Sequence, residues 1–145
     1  MQFFLIFFAI YALSAFIFGF QQCRQHQAYT LTPFLNPLGA FVWGDAVVFG
    51  LFWFLASLIS FLFKDWLLFW LIFSVFWLVR SFGEMIYWFN QQFSAVNRNP
   101  PEKLWLYQYF KNDSIWFVYQ IFWQCVLVIT TITTVYLFAQ WLNQY

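Results

Sequence analysis

Four long apolar runs constrain the fold of this chain more than any other feature of its sequence. A helix needs about 20 consecutive apolar residues to cross the roughly 30 Å hydrocarbon core of a bilayer. The four runs cover residues 3–20, 40–63, 66–89 and 115–142. The sequence therefore predicts an all-α integral membrane protein that forms a single domain, with four transmembrane helices in an antiparallel bundle.

The composition supports the same class of protein. Only 8% of the 145 residues are charged, whereas a soluble domain carries about 25% charged residues to keep its surface in water. The six basic residues are scattered along the chain, and nucleic-acid binding requires a clustered basic patch. We therefore expect the lipid bilayer as one partner, another membrane protein or a second copy of the chain as the other, and no nucleic acid.

The sequence at the ends of the first three runs supports two further predictions. The first run lacks a basic leader, and its apolar stretch is longer than the roughly 7 to 15 residues of a signal peptide; we expect it to be retained as a membrane span. A single helix over residues 40–89 would be about 75 Å long. The polar pair Lys64 and Asp65 is therefore predicted to be the turn of a tight helical hairpin.

Basic residues in the connecting segments predict the orientation. Four spans place both termini on one side of the membrane and the loops 21–39 and 90–114 on the other. These loops contain most of the basic residues, namely Arg24, Arg98, Lys103 and Lys111, against Lys64 in the opposite turn. By the positive-inside rule the two loops are cytoplasmic and both termini lie outside, in a plasma membrane or a bacterial inner membrane.

Local signals predict structure inside both loops. Thr32 and Asn36 each precede a proline, which favours extended backbone and turns, so the first loop is interpreted as a structured cytoplasmic approach to the second span. In the second loop, Asn99 precedes two prolines, and Glu102 follows it by three positions. That spacing is typical of a helix start with an asparagine cap and predicts a short helix to about Phe110.

The third run contains two charged residues, Arg80 and Glu84, one helical turn apart. An ionised side chain at the centre of a membrane helix costs about 2.5 to 3.5 kcal/mol, so such residues usually face other helices. A turn at Lys64 and Asp65 brings Asp45 to the depth of Glu84, and two glutamines of the fourth run enter from the same side. The predicted intramembrane cluster is Asp45, Arg80, Glu84, Gln120 and Gln124.

Three interpretations of this cluster remain open: a structural role, a transport role and catalysis. Buried polar groups often hold membrane helices in register through hydrogen bonds worth on average about 0.6 kcal/mol. Paired acidic groups within a membrane also carry protons or bind cations.

The second run carries a face of small residues at helical spacing: Ala46, Gly50, Ser57 and Ser60. Small residues let membrane helices approach each other closely. We expect this face to be a helix-packing contact.

Motifs of other chemistry are missing from the sequence. Cys23 and Cys125 form no CxxC pair, and His26 is the single histidine, so no metal ligand set and no cofactor are predicted. No phosphate-binding loop and no nucleophile elbow occurs. The first hypothesis is a non-catalytic protein acting in assembly or scaffolding through helix packing. The alternatives are a homo-oligomeric transporter or channel for ions, protons or small solutes, and a lipid-modifying membrane enzyme.

Overall fold

A computed structural model describes residues 2–94 and 99–144. Of these described residues, 81% are helical and none forms a strand. Its long helices are α1 (Gln2–Arg24), α2 (Trp43–Leu62), α3 (Trp66–Phe93) and α4 (Ser114–Leu142). All four are long and apolar enough to cross a membrane. The structure thus confirms an all-α chain with four candidate spans.

Helix ends differ from the ends of the apolar runs by a few residues. α1 and α3 each continue four residues past the predicted limit, through glutamine-containing sequence to Arg24 and Phe93. Hydrogen bonding along the backbone determines where a helix stops, whereas hydropathy marks only the part that suits lipid. As a result Arg80, 14 residues after Trp66 and 13 before Phe93, lies near the midpoint of α3.

The turn between α2 and α3 occurs at the predicted residues. Lys64 adopts a left-handed conformation with φ 54°, and the backbone N–H of Asp65 donates to the Ser60 carbonyl at 3.1 Å. This pattern is the αL termination that glycine usually provides. The Asp65 carboxylate then accepts the Leu68 backbone N–H at 2.9 Å and so caps the start of α3.

The prediction of one short helix after Asn99 is wrong. Two separate 3-10 turns, Pro101–Lys103 and Trp105–Gln108, occupy the segment, with Leu104 extended between them. Asn99 does not cap a helix: the first 3-10 turn has Pro100 at its N-cap and no side-chain cap hydrogen bond. The Asn99 side-chain N–H instead donates to the Tyr87 hydroxyl.

The chain divides into two compact units, Met1–Ile72 and Phe73–Tyr145. In the first unit α1 and α2 pack against each other in opposite directions, since Gly19 lies against Ala46 and Gly50 lies against Phe16. The core of this unit contains the fully buried Trp53 and Phe69. Phe8 contacts both rings edge-on, with centroid distances of 5.7 and 5.6 Å.

The second unit contains most of α3 and all of α4. The rings of Trp88 and Tyr119 stack with centroids 4.6 Å apart. The Thr134 hydroxyl donates to the Ser74 hydroxyl at 3.1 Å. Contacts at both ends of this unit therefore pair α3 with α4 in opposite directions.

Candidate functional site

The two charged residues of α3 form an ion pair. Arg80 Nη2 lies 2.8 Å from Glu84 Oε1, and the two side chains remain 20% and 15% exposed. Each charge lowers the cost of placing the other in a membrane span, because the pair presents a smaller net field than either ion alone. The pair lies near the middle of α3 and contains both charged residues of that helix.

Hydrogen bonds between α3 and α4 occur on both sides of the ion pair along the chain. The Gln92 amide donates to Gln120 Oε1 at 2.7 Å, and the contact between Ser74 and Thr134 lies on the other side. Interhelical bonds of this kind fix the register of two membrane helices. Polar contacts thus join α3 to α4 at both ends of their pairing, and the ion pair within α3 lies between these two contacts along the helix.

Sequence reasoning missed Ser74 and Gln92. The buried side of α3 contains residues seven positions apart, namely Ser74, Ser81 and Trp88. On the helix surface this line of residues lies beside the line of Arg80 and Glu84. That seven-residue spacing was the available signal. Arg80 and Glu84 consequently lie beside the buried face, which accounts for their partial exposure.

The remaining members of the predicted cluster differ in burial and hydrogen bonding. Gln120 is buried and hydrogen-bonded. Gln124 is half-buried, and its side chain makes no hydrogen bond within the described ranges. Asp45 belongs to the first unit, where its carboxylate accepts the Phe41 backbone N–H at 3.2 Å in the first turn of α2. That Asp45, Gln120 and Gln124 join the ion pair in one cluster stays a prediction from the sequence.

The threonines of α4 divide between two roles. Thr130, Thr131 and Thr133 donate their hydroxyls to carbonyls three or four residues earlier in the same helix. Thr134 alone of these four bonds to another helix, through Ser74. Back-bonded hydroxyls are satisfied within their own helix, so these three residues require no polar partner.

Two of the small residues of α2, Ala46 and Gly50, lie against α1. Ala46, Gly50, Ser57 and Ser60 are all buried. A methyl group at Gly50 would lie 2.7 Å from the Phe16 backbone nitrogen. The facing residues of α1 are also small and buried, namely Ala12, Ala15 and Gly19, and their spacing was a second signal that sequence reasoning missed.

Ser57 and Ser60 differ from the threonines of α4. Both hydroxyl oxygens are buried and have no hydrogen-bond partner among the residues that the structure describes. That Ser57 and Ser60 pack against another helix stays a prediction from the sequence.

The segment between α1 and α2 returns toward the middle of both helices. It contains a 3-10 helix, Pro33–Leu38, whose Leu35 and Leu38 are fully buried. The Tyr11 hydroxyl donates to the Phe34 carbonyl, and Trp53 Nε1 donates to the Leu38 carbonyl at 3.0 Å. Two side chains from the interior of helices thus hold the backbone of a connecting segment.

No group of three or more potential metal ligands occurs within residues 2–94 and 99–144. Both cysteines carry free thiols, and His26 is exposed in the left-handed position after α1. Comparison of the chain with protein-family models, with curated proteins and with solved structures finds no match. Functional inference therefore depends on the residues and contacts described above.

Proposed function

We propose that this chain is a multi-pass membrane protein with an antiparallel four-helix arrangement, and that it acts without catalysis by assembling with a second copy or with a larger membrane protein. Four apolar helices account for most of the chain. The interaction that defines its role is accordingly placed within the bilayer.

The partial exposure of the Arg80–Glu84 pair carries this proposal. The pair lies near the middle of α3 and retains 20% and 15% exposure. In a bilayer that exposed area would face hydrocarbon, which solvates ions poorly. Contact with polar groups of another chain would remove this cost and so favours association.

The surface of α4 supports the same conclusion. Only 6% of the most apolar 18-residue stretch of α4 is buried inside the chain. Helices of membrane proteins associate through packing and interhelical hydrogen bonds, because lipid tails are as apolar as the helices themselves. α4 therefore offers a long surface on which another helix can pack.

Co-isolation tests the assembly proposal directly. We expect the chain purified from its native membrane in mild detergent to be recovered with a stoichiometric membrane partner or as a closed oligomer, because the exposed ion pair favours contact with another chain. Native mass spectrometry identifies both. A monomer that carries lipid and detergent but no protein would contradict the proposal.

A transport role is the second candidate, favoured by the ion pair and the nearby Gln92–Gln120 contact. Charged and amide groups within a membrane are used to move protons or cations. Reconstituted protein would then produce an ion or proton flux in proteoliposomes. A closed oligomer without flux supports assembly, whereas flux that Glu84→Gln abolishes supports transport.

We further propose that both termini lie outside and that loops 21–39 and 90–114 are cytoplasmic. Of the basic residues that carry this proposal, Arg98 lies outside the described residues, while Arg24, Lys103 and Lys111 are exposed. Their excess over Lys64 predicts the orientation. The host membrane is proposed to be a plasma membrane or a bacterial inner membrane.

Cysteine labelling tests this topology. In a variant without Cys23 and Cys125, single cysteines at Ser94 and at Gln144, both exposed positions, are expected to react with an impermeant reagent from opposite sides. The Gln144 position should react from outside because the basic loops are retained in the cytoplasm. Labelling of both positions from one side would contradict a four-span topology.

A further inference from the structure

We infer that residues 31–42, between α1 and α2, form a re-entrant membrane segment. In this arrangement the segment enters the hydrocarbon core from the side on which α1 ends and α2 begins, turns at Pro33–Leu38 and leaves on the same side. This inference goes beyond the assembly function and rests on the proposed membrane spans α1 and α2. It assigns the later part of the proposed cytoplasmic loop 21–39 to a fifth membrane-embedded element, which does not span.

Two hydrogen bonds establish how far the segment reaches along the helices. Tyr11, which donates to the Phe34 carbonyl, precedes the end of α1 at Arg24 by 13 residues, or about 20 Å of helix. Trp53, which donates to the Leu38 carbonyl, follows the start of α2 at Trp43 by 10 residues, or about 15 Å. In helices that cross a core roughly 30 Å thick, both positions are close to its middle.

Several backbone groups of the segment bond to one another. Irregular backbone is tolerated at membrane depth only where its polar groups find partners in the protein or in a water-filled cavity. The Thr32 N–H donates to the Phe41 carbonyl at 3.1 Å, and the Gly39 N–H donates to the Asn36 carbonyl at 2.9 Å. Pro33 and Pro37 have no N–H to satisfy.

The tip of the segment is satisfied by the two helix side chains. The Phe34 and Leu38 carbonyls accept from Tyr11 and Trp53 respectively. Both donors lie inside helices, and their side chains reach from there to the backbone of the segment. An extramembrane loop would obtain the same bonds from water, and it would not need donors from the middle of two spans.

The side chains of this connection also suit lipid. The 20 positions from Gln25 to Gly44 contain no Asp, Glu, Lys or Arg. Ionised side chains are common in loops exposed to water, and they are excluded from the hydrocarbon core by their solvation cost. A connection of this length without any such residue is expected of a segment that enters the membrane.

The surface beside the tip is apolar as well. A groove of about 340 Å³ lies between the segment and α1, lined by Phe4, Phe7, Phe8, Tyr11 and Pro37. Phe34, at the tip, is 47% exposed. In a bilayer this groove and the Phe34 ring would be in contact with acyl chains.

Spin labelling in proteoliposomes tests the inference. In a variant without Cys23 and Cys125, a label at Phe34→Cys is compared with one at Ile10→Cys and one at Gln27→Cys. Ile10 is exposed on α1 next to Tyr11, and Gln27 is exposed before the segment. Molecular oxygen concentrates in hydrocarbon and a nickel chelate stays in water, so the ratio of their collision rates with the label reports its depth.

A re-entrant segment gives the label at position 34 a collision ratio close to that at position 10. A ratio equal to that at position 27 would place the segment in water and overturn the inference. If Phe34→Cys fails to fold, Asn36→Cys provides the same measurement, because the Asn36 side chain is exposed at the tip and makes no hydrogen bond in the part of the chain that the structure covers.

Discussion

Replacing Arg80 with leucine is expected to destabilise the protein more than removing the whole ion pair. The substitution leaves Glu84 without the partner that now lies 2.8 Å away. A lone ionised carboxylate at the centre of a membrane helix costs about 2.5 to 3.5 kcal/mol. We expect a lower thermal midpoint in mild detergent and a lower yield of inserted protein.

The double variant Arg80→Leu, Glu84→Gln provides the matched control. It leaves no uncompensated charge, and replacing both members of a buried pair by neutral groups is often close to neutral. Its thermal midpoint is expected to return toward that of the wild type. Equal stability of Arg80→Leu and the wild type would show that this pair contributes nothing to the fold.

The same variants separate a structural role from transport. If the pair serves association, the double variant is expected to fold like the wild type but to assemble less completely. If the pair serves transport, the double variant is expected to fold and assemble like the wild type but to lack its flux. Adding Asp45→Asn tests the sequence prediction that Asp45 joins the cluster. Coupling between Asp45→Asn and Arg80→Leu beyond the sum of the single effects would support that prediction, since uncoupled sites give additive changes.

Gly50→Leu is expected to disrupt the pairing of α1 with α2. A methyl group at this position would already lie 2.7 Å from Phe16 N and 2.8 Å from Ala12 O, both backbone atoms that cannot rotate away. Inserting extra volume into a packed core costs about 1 to 3 kcal/mol and sometimes more. We expect Gly50→Ala to lower the thermal midpoint and Gly50→Leu to lower it further.

Gly83 provides a control within the same chain. Apart from its chain neighbours and the adjacent backbone of α3, no atom of the described residues lies within 4 Å of a methyl group placed there, so Gly83→Leu is expected to leave internal packing unchanged. Leucine also has a higher helix propensity than glycine. A loss of stability in Gly83→Leu as large as that in Gly50→Leu would mean that bulk alone is harmful, and would contradict the specific role assigned to the α1–α2 contact.

Hydropathy was sufficient to locate the helices because burying apolar side chains in lipid requires a length and a composition that can be counted. It placed the turn between α2 and α3 at Lys64 and Asp65 although no glycine marks it. It did not show that Lys64 would adopt a left-handed conformation, because the αL termination of α2 is a backbone arrangement that side-chain patterns report only indirectly.

Periodicity identified polar residues that share a helix face, but not the hydrogen-bonded pairs that they form between helices. The i, i+4 spacing of Arg80 and Glu84 predicted that they share a face, and their ion pair is local to one helix. Gln92 and Ser74 were missed because their partners, Gln120 and Thr134, are 28 and 60 residues away. Which residues meet across two helices depends on rotation and register, and packing sets both.

The sequence by itself determined that this chain is all-helical, has four candidate membrane spans and turns tightly at Lys64 and Asp65, since these properties follow from local composition and chain length. Only the tertiary structure decided that residues 31–42 return along α1 and α2. The hydrogen bonds from Tyr11 and Trp53 to that segment join residues far apart in sequence. No local pattern encodes such contacts, because they exist only once the helices have packed.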